Sequence, residues 1–270
     1  MNSLDDFPGF RPSTITSRRA AVKRAIIAMT EDLERPMSLK ALAKKTWVSP
    51  SHLDHVFRQI TGSSPRQFLG ALRLQRAKQL LLTTKSKVID TCLEVGYNSV
   101  GTFSYRFAEL VGVSPVQLRK LAECGVVEQL DDLETTNSLP ELKSAVSGKV
   151  KGPPNFTGSI FIGLFTTPIP QGPPAACVIM NRPGEFTIPK VPAGHYYAFC
   201  VAFPGSDNPV NFFDNDAALR AASSPKLMDV EPGGAPIRIQ FELRPPEVID
   251  PPILVAIPAL LAGSFAKAKT

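Results

Sequence analysis

Two helix-turn-helix patterns lie back to back between Ser38 and Arg119, and they limit what this chain can become more than any other feature. The first reads SLKALAKKTWVSPSHLDHVFRQITG (38–62) and the second VIDTCLEVGYNSVGTFSYRFAELVG (88–112). Each places a short apolar-periodic helix before a tight turn. A Ser N-cap then opens a second amphipathic helix, the geometry that seats a helix in a DNA major groove.

The apolar spacing predicts the surrounding helices. Val22, Ile26, Met29 and Leu33 recur about once per turn from Arg18 on, and Pro36 closes that helix. Ser38 caps the next, with Leu39, Leu42 and Ala43 expected inside. Ser49-Pro50 pairs an N-cap with Pro at the first helical position, then Leu53, Val56, Phe57 and Ile60 turn inward up to Gly62. Ser64-Pro65 repeats the signal and opens a long helix to Leu82. Its basic residues Arg66, Arg73, Arg76 and Lys78 are expected either to fix the two units relative to each other or to touch phosphates. Val88, Ile89, Cys92 and Leu93 are expected inside the next helix, Gly96 at the turn, and Phe103, Phe107 and Leu110 on the inner face of the helix that Ser99 caps. Ser114-Pro115 starts a last helix ending near Glu123, and Trp47 reads as packing in the first turn.

Charge and proline separate this part from the rest. Of the 270 residues, positions 1–124 hold 19 Lys and Arg against 10 Asp and Glu, whereas 125–270 hold 11 against 14. A basic half joined to a mildly acidic one fits a nucleic-acid reader fused to a different module. Six of the 26 prolines fall in the first part and 20 in the second, so the second is expected to be short strands and turns.

The pieces FLGALRLQRAKQLL, EVGYNSVGTFSYRF and VGVSPVQLRK resemble the AraC/XylS family of transcription regulators over about residues 18–122. The resemblance implies seven helices, with the two second helices entering successive major-groove segments on one face of DNA. The matching start positions, Ser51 and Thr102, lie 51 residues apart in the chain. A rigid connector would set them roughly one DNA turn apart, about 34 Å. Matched along the motif, Ser51, Asp54 and His55 face bases from the first reading helix, and Val100, Gly101, Thr102 and Tyr105 from the second. Asp54 brings an acceptor where the family often has a donor, which suits cytosine N4. Tyr105 stands where Arg is common, and Val100-Gly101 offer no side-chain hydrogen bond, so the second helix is expected to read shape and methyl groups or to anchor on phosphate. Arg58, Arg66, Arg106 and Lys120 are the expected phosphate contacts.

After an acidic stretch, 124–143, strand signals begin at Val146–Val150, Ser159–Thr166, Ala175–Met180, Gly184–Ile188, His195–Phe203 and Ile237–Leu243. The last alternates cleanly, as suits an antiparallel sheet with one face in a core. The pieces VSGKVKG, GEFTIPKVPAGHYYAFCVAF and VEPGGAPIRIQFEL resemble carboxypeptidase-regulatory-like, transthyretin-type sandwich domains over about 144–245; that likeness implies a fold and no particular role. The strand His195–Phe203 is apolar on both faces, so its outer face must be covered: by the tail Ile253–Leu261, by the helical half, or by a second subunit.

The expected fold class is therefore multidomain α and β: an N-terminal all-α double helix-turn-helix of seven helices and a C-terminal all-β antiparallel sandwich. The expected division is 1–17 lead-in, 18–123 DNA-binding domain, 124–143 linker, 144–247 sandwich and 248–270 apolar tail. Double-stranded DNA is the expected partner; a small-molecule effector and a homodimer through the sandwich or tail remain open, and no cofactor is expected. Cys92, Cys124, Cys177 and Cys200 form no CxxC pair and the three histidines lack ligand spacing, so no metal site is expected. The loop Gly205–Asp216, with Asp207, Asp214 and Asp216, reads as a polar turn rather than a cation site. No secretion signal opens the chain and its longest apolar stretch, Ile253–Ala262, is too short for a membrane span, so a cytoplasmic location is expected. The chain reads as a regulator and not an enzyme. The competing readings are a non-specific architectural or protein-binding module, and an alkyl-accepting repair enzyme, which requires an activated thiol.

Overall fold

The structure, a computed structural model, describes residues 12–123, 144–205, 218–221 and 227–256. Seven helices come first: α1 (Pro12–Glu31), α2 (Leu39–Thr46), α3 (Pro50–Thr61), α4 (Pro65–Thr83), α5 (Val88–Glu94), α6 (Val100–Val111) and α7 (Pro115–Glu123). The first starts at Pro12, inside the stretch expected as lead-in. Serine hydroxyls accept from backbone N–H groups at the starts of α2, α3, α4, α6 and α7, through Ser38, Ser49, Ser64, Ser99 and Ser114. Each satisfies one of the amides that a helix start leaves without an intrahelical partner. At α4 the cap is reciprocal, since Gln67 Oε1 accepts from Ser64 N. Gly62 and Gly112 end α3 and α6 in the left-handed conformation, φ +73° and +94°.

The helices form two units around separate cores. Val22, Ile26, Leu42, Leu53, Phe57 and Phe68 fill the first. Leu74, Leu81, Cys92, Phe103, Phe107 and Leu118 fill the second. Helix α4 runs through both, its first half in one core and its second half in the other.

Eight strands follow among the described residues: β1 (Ser144–Lys151), β2 (Gly158–Phe165), β3 (Ala176–Met180), β4 (Glu185–Val191), β5 (Gly194–Pro204), β6 (Leu219–Ala221), β7 (Met228–Val230) and β8 (Ile237–Arg244). They run in the order β3-β2-β5-β6-β8-β1-β4, with β7 on β5, so the sheet folds over and nearly closes on itself. Val146, Ile160, Ile162, Phe186, Cys200 and Phe241 meet inside. Every pairing is antiparallel except β1 with β8, which is parallel from Val146↔Ile237 to Lys151↔Glu242.

The outer face of β5 is covered from within the chain. Val201 and Phe203, with Phe161 and Phe165 of β2, lie under Ile253 and Val255. The alternate residues of that segment, Leu254 and Ala256, together with Ile169 from the β2–β3 connection, enter the core of the second helical unit. Leu254 N and Ala256 N donate to Pro170 O and Val111 O, and Gly172 N donates to Leu110 O. The segment 251–256 is thus a strap with one side in each half. Beneath it a cavity of about 30 Å³, lined by Phe161, Phe199 and Arg220 among others, is large enough for a water or two. Residues 257–261 of the expected tail, and Asp207, Asp214 and Asp216 of the polar loop, lie outside the described residues.

Candidate nucleic-acid interface

The helices α3 and α6, expected to face bases, are built alike: a Ser cap, twelve residues, an apolar inner stripe and a left-handed Gly. Burying Leu53, Val56 and Phe57 on α3, and Phe103, Phe107 and Val111 on α6, leaves the opposite sides to solvent. On α3, Ser51 and His55 are exposed and Asp54 is half-buried; on α6, Gly101 and Thr102 are exposed, Val100 is half-buried and Tyr105 is 71% exposed. Among the described residues, the sandwich leaves both outer sides open.

Of the expected phosphate contacts, Arg58, Arg66, Arg106 and Lys120 are all exposed. Arg58, Arg66 and Arg106 line one groove of about 850 Å³ together with Asp54 and Tyr97, its far wall being the β2–β3 connection at Thr167–Gln171. Lys120, on α7, is not part of that lining. Within α3, Arg58 Nε donates to Asp54 Oδ2 at 2.9 Å, so the carboxylate expected to accept from a base is already engaged one turn along its own helix. An exposed pair of this kind contributes little stability and is easily exchanged for another partner. Burial keeps the Tyr97 hydroxyl protonated by raising its pKa, against the lowering effect of Arg106 and Arg73 nearby.

Four sequence expectations are corrected by burial, the first being Leu39, which opens α2 and is 36% exposed while Leu42, Ala43 and Thr46 take the packed side. Lys78 does not reach phosphate: it is 2% exposed, and its Nζ donates to Ile253 O at 2.9 Å and Leu254 O at 3.2 Å. Ile89 and Leu93 are 49% and 56% exposed, because the two-turn helix α5 has only one packed side and Thr91 and Cys92 occupy it. Trp47 is no packing residue. It caps α2 at φ +62° and is 88% exposed, since the left-handed turn throws its side chain outward. Arg73 does join the two units, through three backbone carbonyls, which spacing alone gave no means to identify.

The thiols seen here lack the setting of a nucleophile. Burial raises the pKa of Cys92, Cys177 and Cys200, and Cys92 Sγ lies 3.6 Å from Tyr97 O. Cys124 lies outside the described residues. No group of three or more His, Cys, Asp or Glu side chains suited to a metal occurs among the described residues. No helix among them is long and apolar enough to cross a membrane.

Residues 42–121 match the family model described as a helix-turn-helix domain, a span running from α2 into α7. The helical half therefore carries a helix-turn-helix domain. Over 99 residues the chain is 30% identical to the HTH-type transcriptional regulator ArgR of Pseudomonas aeruginosa, covering 37% of this chain and 30% of that protein. Over 120 residues it is 30% identical to the HTH-type transcriptional activator RhaR of Salmonella schwarzengrund, covering 44% and 40%. The match therefore spans less than half the length of these curated relatives. Among solved structures, an AraC-type regulator from Chromobacterium violaceum is 28% identical, with 39% of this chain and 94% of that chain covered and a TM-score of 0.38.

Proposed function

We propose that the chain is a sequence-specific DNA-binding transcription regulator. Its AraC-type domain presents α3 and α6 to successive major-groove segments, and its sandwich serves effector sensing or assembly. The observation that carries this reading is the pair of matched, capped helices with uncovered outer sides, flanked by a groove that collects Arg58, Arg66 and Arg106. Ser51, Asp54 and His55 are the residues proposed to face bases from α3, and Val100, Gly101, Thr102 and Tyr105 from α6. Arg58, Arg66, Arg106 and Lys120 supply the salt-dependent phosphate term.

Selection of bound duplexes from a random pool tests the proposal. A recovered consensus should bind more tightly than random duplex at every salt concentration. His55→Ala should then weaken the selected site by about 1–3 kcal/mol and relax preference at one base position. The second reading, an architectural module, is favoured by the outer side of α6, where Val100 and Gly101 carry no hydrogen-bonding side chain. Equal affinity for selected and random duplexes, with one salt slope, would establish it instead.

A further inference from the structure

Arg73 stands in the middle of α4, and its guanidinium is divided between the two helix-turn-helix units. Nε donates to Leu33 O at 2.8 Å and Nη2 to Arg35 O at 3.0 Å, both just beyond the end of α1 in the first unit. Nη1 donates to Gly96 O at 3.0 Å, in the turn between α5 and α6 of the second. A guanidinium carries its five N–H donors in a rigid planar fork, so three carbonyls held by one fork are held at fixed angles to one another. Burial lowers its pKa, yet an arginine stays charged at any pH a folded protein meets, so the clamp does not titrate away.

The same contact is closed sterically from the other side. Gly96 adopts φ +81°, and a Cβ built there would stand 2.7 Å from Leu33 O, 2.8 Å from Glu34 O and 2.8 Å from Arg73 Nη2. The turn of the second unit therefore sits directly on the chain leaving α1, with no room for a methyl group. These two anchor points lead straight to the reading helices. Helix α1 shares its core with α3 through Val22, Ile26, Leu53 and Phe57, and Gly96 lies three residues before Ser99, the cap of α6.

We propose that Arg73 and Gly96 form a clamp fixing the separation and rotation of α3 relative to α6, and so set the number of base pairs accepted between the two half-sites. This rests on the DNA-reading proposal above. Arg73 is a positioning residue: Nε, Nη1 and Nη2 are each engaged by a backbone carbonyl, and it acts through the helices it holds.

The test uses the full chain and the selected duplex, with variants of that duplex in which one or two base pairs are added or removed between the half-sites. Each base pair turns the second half-site by roughly 35°, so a rigid reader should lose about tenfold or more per step. The wild type should show that steep profile. Arg73→Ala should bind the original duplex more weakly but discriminate among the spacings less than about threefold, with unchanged affinity for a duplex carrying one half-site. Arg73→Lys, a point cation without the fork, should fall between them, and Gly96→Ala should move or flatten the optimum by forcing the units apart. Should Arg73→Ala fail to fold, Arg73→Lys and Gly96→Ala carry the comparison. Variants that keep the wild-type spacing profile, whatever their loss of overall affinity, would overturn the clamp. A wild type that does not prefer the selected duplex would instead overturn the DNA-reading proposal itself.

Discussion

At the scale of single residues, Lys78 is an amine taken almost completely out of solvent, 2% exposed. Its amino group is enclosed beneath the strap with two backbone carbonyls as partners, and its pKa falls from 10.5 to about 7, chiefly through burial and secondarily through the charge of Arg220. The sign of the consequence follows from proton counting. Below pH 7 both folded and unfolded chains carry the proton, and the folded state bears the cost of enclosing a charge. As pH rises from about 7 towards 10.5 the folded chain has released a proton that the unfolded chain still holds, so stability rises through that window. Thermal unfolding at about pH 6.5 and about pH 8.5 should show a higher midpoint at the higher pH. Lys78→Met, which keeps the stem and removes the titrating group, should flatten that difference. Parallel pH profiles for the two proteins would show that another group governs the window.

At the scale of elements, the two reading helices are one design used twice, and their starts and stops carry much of it. Ser49 and Ser99 each satisfy an amide of the first turn, at 3.3 Å and 3.4 Å, so Ser49→Ala should cost about 1 kcal/mol in urea unfolding while leaving α6 untouched. Such signals are local, which is why all seven helices were legible from spacing, Ser-Pro pairs and Gly alone. The outer sides of α3 and α6 were legible for the same reason: once Leu53, Phe57, Phe103 and Phe107 are placed inside, the phase of the helix leaves His55 and Thr102 outside. Where local signals run short, reading fails. Helix α5 spans only seven residues, too few for periodicity to separate its packed stripe from Ile89 and Leu93. Strands β6 and β7 have three residues each and exist only because β5 and β8 offer them edges. The parallel pairing of β1 with β8 joins segments about ninety positions apart, and the carbonyls that hold Arg73 come from residues 23 to 40 positions away; neither leaves a mark in any short window.

At the scale of the whole molecule, the two halves are not independent bodies on a string. Ile169, Leu254 and Ala256, all from the C-terminal half, lie among the residues that fill the core of the second helix-turn-helix unit, while Ile253 and Val255 seal the outer face of the sandwich. The first unit's core is filled from the helical half itself, and among the described residues Ile249 is the one apolar side chain of the other half packed on its margin. Arg19 Nη2 and Glu247 Oε2 meet across the same boundary at 3.4 Å, a partly exposed pair that adds little beside the apolar contacts. The strap therefore ties the stability of the second reading helix to the sandwich and leaves the first comparatively free. Leu254→Ala should remove a fully buried side chain at a cost of about 2–5 kcal/mol. Hydrogen exchange on the full chain should then show amides of α5–α7 and of β2 and β5 losing protection together, while α1–α3 keep theirs. If the sandwich acts on DNA reading as proposed, a ligand or partner that shifts the strap alters the support of α6 before that of α3. Equal loss of protection in α1–α3 and α5–α7 would mean that the helical domain unfolds as one body, and that the strap has no preferred side on which to act.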